Sequence, residues 1–269
     1  MNYQRRLIPV LLLLALPVAA QAKSWLLPSL TVLPDPGWVT VDAATSDEYF
    51  FFNRSPLALT TLSIAAPDGT RVEPQNSGSG SGKLRNSFDL QLTQTGTYRI
   101  AVTSDSINAS YEDKGATKRF RGTLEEFAQQ VPAGAAKLQV RQNQQRVETF
   151  VTARKPSDGA LKGSGVGLEL QPVTHPNDLY AGETAKFRYT LDGKPAAGVE
   201  VSIIPGGTRH RDRPNEILLK ADATGEIAVT WPQAGWYLME ASAKDVAPSI
   251  PQAQQRNALY TTTLEVLPQ

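Results

Sequence analysis

The sequence has no cysteine and only two histidines in 269 residues. Without cysteine there is no disulfide, no thiolate metal site, no thiol nucleophile and no lipid anchor of the acylated-cysteine kind. Structural zinc takes four protein ligands and catalytic zinc three plus water, so a metal site would need carboxylates beside His175 and His210. Excess charge is missing too: 27 basic against 26 acidic residues give a net charge of +1. That balance argues against bulk capture of nucleic acid or anionic membrane and leaves local sites open. Gly-x-Ser-x-Gly, His-Glu-x-x-His and phosphate-loop patterns are all absent, so no nucleophile–base pair is legible. A carboxylate pair for glycoside hydrolysis stays open in any chain with this many acidic residues.

The one long apolar run lies at the N-terminus. Arg5 and Arg6 precede Leu7 to Ala20, and Ala20-Gln21-Ala22 has the small-x-small form of a cleavage site. Pro9 and Pro17 interrupt the run, which is short for a bilayer span. Residues 1–22 therefore read as a signal peptide and the chain as an exported periplasmic protein, with no membrane insertion after cleavage. Loss of Arg5 and Arg6 takes the net charge from +1 to −1.

What remains is rich in turns. Nineteen prolines and twenty glycines break the sequence into short alternating segments, the pattern of an all-β fold. Trp38-Val-Thr-Val-Asp42 alternates cleanly, and Tyr49-Phe-Phe-Phe52 reads as a strand buried on both faces or at a sandwich edge. Ser77 to Gly82 is a flexible loop. Residues 88–102 overlay residues 227–241 without a gap, placing Leu90 on Val229, Leu92 on Trp231, Gly96 on Gly235, Tyr98 on Tyr237 and Ile100 on Met239. Strand, glycine turn, then Tyr opening the next strand is the tyrosine corner of immunoglobulin-like sandwiches. Two corners predict two sandwiches.

Thr123-Leu-Glu-Glu126 has capping-box form, and Leu124, Phe127, Ala128 and Val131 make one stripe of a short helix near 123–131. With the charged stretches Tyr111–Gly115 and Lys118–Arg121 it reads as an insertion packed on the first sandwich. The expected division is an N-terminal sandwich over 23–155, a linker over 156–167 and an immunoglobulin-like or transthyretin-like sandwich over 168–269.

Between the halves lies Gly167-Leu-Glu-Leu-Gln-Pro-Val-Thr-His-Pro-Asn-Asp-Leu-Tyr-Ala-Gly-Glu183. Leu168 and Leu170 alternate with Glu169 and Gln171, which predicts a half-buried strand with the polar pair outward. His175 and Asp178, joined by His210, are candidate metal ligands; imidazole suits Zn, Cu or Ni. A capped, solvated His before Pro is the plainer reading. Arg209 and Arg211 are candidate anion ligands, though Asp212 and Glu216 stand close enough in sequence to neutralise them.

That segment, with Asp192-Gly-Lys-Pro-Ala-Ala-Gly-Val199, Asp222-Ala-Thr-Gly225 and Gly235-Trp-Tyr237, resembles the family called domain of unknown function 4198. The family is similar to periplasmic components of cobalt and nickel uptake systems. The resemblance therefore implies binding rather than catalysis, a transition metal (Ni, Co, Fe, Cu or Zn) or its complex as cargo, and an inner-membrane transporter or outer-membrane receptor as partner. Many members resemble a chain opening on His, one residue, an aromatic, Leu, a residue and Pro. Here Trp25, Leu26 and Pro28 match, but Lys23 stands in place of the His, and its ammonium does not chelate. Lys23 and Trp25 complete the candidate ligand-binding set. The alternative is an envelope module binding glycan or a membrane protein, which exposed tryptophans would favour.

Overall fold

The computed structural model describes residues 22–77 and 82–269. All of the expected signal peptide except Ala22, and most of the Ser77–Gly82 loop, lie outside the described residues. The first half holds β1 (Lys23–Pro28), β2 (Val32–Leu33), β3 (Trp38–Ser46), β4 (Ser55–Pro56), β5 (Leu62–Ala65), β6 (Arg71–Val72), β7 (Asn86–Gln91), β8 (Gly96–Asp113), β9 (Ala116–Gly122), helix α1 (Leu124–Gln130) and β10 (Ala136–Ala153). The second holds β11 (Leu168–Pro172), β12 (Thr184–Leu191), β13 (Lys194–Pro195), β14 (Glu200–Pro205), β15 (Ile217–Lys220), β16 (Glu226–Thr230), β17 (Gly235–Val246) and β18 (Gln255–Val266).

Each half is an immunoglobulin-like sandwich, and the two share a sheet. A ten-stranded sheet has the main path β15-β14-β17-β18-β10-β8-β5-β6, with β2 added to β10 and β9 to β8, and the main path reads outward from its middle in the same order on both sides. The middle is a parallel ladder from Arg141 opposite Gln255 to Thr149 opposite Thr263. Pairing the last strands of two like units in parallel amounts to a two-fold axis along the strands, which turns the halves to opposite faces. Accordingly β1, β3 and β7 cover Val147 and Val151 on one face, while β11, β12 and β16 cover Phe150 on the other. Successive residues of one strand thus serve two cores.

The corners expected from the overlay are present in both halves. Tyr98 is buried and its hydroxyl accepts from the Thr93 and Gln94 amides at 3.0 and 2.8 Å. Tyr237 is buried and donates to the Gln233 carbonyl at 2.8 Å. Gly96 and Gly235 sit at φ +130° and +135°, a region that L side chains avoid, which is why both corners carry glycine. Trp231 is fully buried against Phe187 and Tyr237.

Three expectations need correction. Tyr49 to Phe52 is a turn rather than a strand, with Phe50 at φ +66°. Its rings pack against Trp25 and Trp236, so the aromatic run serves side-chain packing and pairs with no strand. The helix has its capping box, but of the expected stripe only Phe127 and Val131 are buried; Leu124 and Ala128 are exposed because the helix meets its sheet through one turn. The charged stretch around it is an arm, formed where β8 and β10 run on past the sandwich and β9 adds to β8. Within residues 156–167 only Ala160, Leu161 and Gly167 are buried, and a Cβ on Gly159 would come 1.9 Å from the Pro67 carbonyl oxygen.

Candidate functional site

The segment between the halves binds the protein to itself. The Asn177 amide donates to His175 Nδ1 at 3.1 Å, so the neutral ring carries its proton on Nε2, 2.9 Å from Thr97 Oγ1. Thr97 Oγ1 also meets Thr152 Oγ1 at 3.0 Å and accepts from the Ser157 amide at 3.1 Å. Asn177 Nδ2 donates to the Thr31 and Phe150 carbonyls at 3.2 and 3.0 Å. Burial, only partly opposed by the Ser157 backbone, Asp158 and Asp178, holds the imidazole below its ordinary value of 6.5. His175 is therefore a latch between the halves, with both ring nitrogens occupied.

A second lock lies under the linker. Glu169, expected outward, is fully buried because β11 is covered on both faces. Its carboxylate accepts from the Ser164 amide and hydroxyl at 2.9 and 2.8 Å and the Gly165 amide at 2.7 Å. Burial raises its pKa, but these donors and Arg146 at 3.3 Å outweigh that and leave it below the usual 4.5. Fully buried Glu148 accepts from Arg99 Nε and Arg146 Nη1, both at 2.9 Å, and from Tyr260 Oη at 2.8 Å. Arg99 completes its set on the Lys162 carbonyl at 3.0 Å. Strands of both halves and the linker thus share one ionic cluster.

The remaining candidates are scattered. Trp25 is fully buried with Nε1 donating to Ser46 Oγ at 2.7 Å, so it is a core residue and not a ligand-binding one. Lys23 forms an ion pair with Glu240, beside Tyr49, whose hydroxyl is pushed up to about 12 by burial and the charges of Glu240 and Glu216. Arg211 is also corrected: its guanidinium donates to the carbonyls of Pro205, Gly206, Arg213 and Pro214 and so shapes its own loop. Arg209 and His210 meet the Phe51 ring at 5.7 and 5.6 Å, and Asp178 is exposed on the turn after His175. Among the described residues no group of three or more His, Asp or Glu could hold a metal ion.

Two surface features are better formed. A cleft of ≈ 630 Å³ lies between the β12–β13 hairpin and the end of β17. Its buried Arg256 is held by Asp192 at 2.5 Å, which keeps that carboxyl below its usual 3.8, so the one deep charge is already neutralised. The arm presents the other. Helix α1 covers the face carrying Ile107, Ala109 and Val140, while the opposite face exposes Asn108, Arg119, Arg121, Gln139, Arg141 and Gln255 over a hollow of ≈ 640 Å³.

The sequence profile described as Domain of unknown function (DUF4198) matches residues 20–245. The chain belongs to that family. Among solved structures it is similar to the D0-D1 domain of intimin, at 14% identity and a TM-score of 0.23 over 90% of this chain and 97% of that one. The adhesin InvE of Yersinia pseudotuberculosis is similar at 13% identity and 0.22, over 91% of this chain and 60% of that one. No curated protein matches the sequence. In this DUF4198 chain, the His175 and Glu169 of the family-like hinge segment are structural, joining the two sandwiches. Among the described residues no helix is long and apolar enough to cross a membrane.

The arm face was not anticipated. Its signal is polar residues on both parities of one strand: Gln139, Arg141, Asn143 and Gln145 alternate with Gln142, Gln144 and Arg146. Only the cross-strand pairing decides which set faces the helix side and which stays open.

Proposed function

We propose that this DUF4198 chain is an exported, non-catalytic binding protein that acts as an interaction module of the cell envelope. The targeting pattern of residues 1–22 supports the compartment. The observation that carries the reading is the open arm face, where exposed Arg119 and Arg121 make no ion pair or side-chain hydrogen bond among the described residues. Guanidinium, amide and hydroxyl groups do not titrate near neutral pH, so the face suits recognition better than proton transfer. Any link to uptake of a metal ion or metal complex then runs through the partner, an inner-membrane transporter or outer-membrane receptor. Cosedimentation of the purified protein with isolated envelopes tests this. Saturable pelleting that is lost in an Arg119→Glu/Arg121→Glu variant is expected. Protein that stays in the supernatant at low salt, or a variant that pellets as well as the parent, overturns it.

A further inference from the structure

We propose that the open arm face binds an anionic polysaccharide, a glycan chain bearing carboxylate or phosphate groups; this rests on the envelope-module reading and names its ligand. Pairing places Arg121, Asn108, Arg141 and Gln255 opposite one another across β9, β8, β10 and β18. Arg119, Ser110 and Gln139 form the next row. Strands lie about 4.8 Å apart and alternate residues about 7 Å apart, so three guanidinium groups frame a patch roughly 10 Å wide, with amides and a hydroxyl between them.

Charge on this face is unbalanced. Arg141 donates to Gln255 Oε1 at 2.5 Å and lies 3.5 Å from the exposed carboxylate of Asp245. Glu112, on the same face, is taken up by Lys137 at 2.6 Å. Arg119 and Arg121 are left over. Basic residues on β9 would also guard an outer strand against pairing with another chain. Such a guard does not account for Arg141, Asn108 and Gln139, which lie on β8 and β10, strands already paired on both sides.

The residue types point to a charged sugar chain. Arginine's planar fork fits carboxylate or phosphate through two parallel bonds, which a lysine cannot make. Amides and serine hydroxyls both donate and accept, matching sugar hydroxyls. Neutral sugars are held chiefly on aromatic faces. The aromatic ring between the two arginines, Phe120, packs instead toward Phe127, with centroids 5.8 Å apart.

Binding of the purified protein is measured on immobilised polygalacturonate and phosphomannan, with dextran, phosphatidylglycerol vesicles and single-stranded DNA as comparisons. The expected result is saturable binding to an anionic glycan, none to dextran, and loss on raising salt from about 0.05 to about 0.5 M. Polygalacturonate alone would identify carboxylate as the recognised group, and phosphomannan alone phosphate. Arg119→Ala and Arg141→Ala each weaken binding about tenfold. Arg121→Lys, which keeps the charge and disturbs the fold least, also weakens it. Lys118→Ala, one residue away on the opposite face, changes affinity less than twofold, roughly the effect of a distant screened charge. Failure to bind either anionic glycan, tighter binding to vesicles or DNA, or an equal loss in Lys118→Ala overturns the proposal. Envelope pelleting that persists when neither glycan binds retires the ligand class alone. Glycan binding without envelope pelleting retires the envelope reading.

Discussion

Replacing Glu148 by Leu removes three hydrogen bonds from a fully buried site. Arg99 Nε, Arg146 Nη1 and Tyr260 Oη lose an acceptor at 2.9, 2.9 and 2.8 Å. Arg99 is 7% exposed and keeps only the Lys162 carbonyl and Glu169 at 3.8 Å. Leaving a buried charge short of its partner costs about 3–5 kcal/mol. That is a large share of the ~5–15 kcal/mol by which domains are stable. Replacing Arg99 as well, by Met, removes the stranded charge and leaves Arg146 and Glu169 paired, so Arg99→Met/Glu148→Leu should be more stable than Glu148→Leu by about 2 kcal/mol. Urea unfolding followed by tryptophan fluorescence measures both, with Trp25 and Trp231 reporting from opposite faces of the shared sheet. A loss under about 1 kcal/mol in the single variant, or a double variant no better than the single, refutes the reasoning.

Other outcomes follow from the same geometry. Glu169 titrates below 4.5 in the fold, so its stabilisation is complete above that value and is lost as pH falls through it toward the folded pKa. The parent should therefore lose more stability than Glu169→Gln between about pH 5 and about pH 3, and equal acid slopes would contradict the donor set drawn around this carboxylate. Trp231→Ala should cost about 3–5 kcal/mol in urea titration, and a loss under about 1 would mean that its indole is not in the second core. Gly96→Ala and Gly235→Ala both carry the strain of a positive φ, about 1–3 kcal/mol. Gly96→Ala should be the worse, since its Cβ would meet Ser157 Oγ at 2.5 Å and Pro67 Cβ at 2.6 Å while Gly235 faces open space; equal losses would show no close approach at the first corner. By NMR, His175 should titrate below 6.5, with stability falling as pH drops through that value, and a higher midpoint would contradict its burial between the halves.

Local patterns foretold much of this protein because their causes are local. A capping box needs Thr123 and Glu126 three residues apart, and both bonds are present at 3.2 and 2.8 Å. The two corners need only a glycine and a tyrosine two residues on, and the overlay found both. Glu169 misled for the opposite reason. Alternation says that Leu168 and Glu169 point to different faces, but not that the second face is also covered. His175 misled likewise: a histidine before a proline looks solvated until Thr97, Ser157 and Thr152 arrive from distant parts of the chain.

Composition and the repeated corner were thus enough to determine an all-β chain of two sandwiches, since each rests on residues close in sequence. Tertiary structure alone decided that the two sandwiches share one sheet, because β10 and β18 pair across more than a hundred residues. That pairing turns the halves to opposite faces, buries Glu148 and Glu169 between them, and leaves the arm's arginines on a face that nothing in the described chain covers.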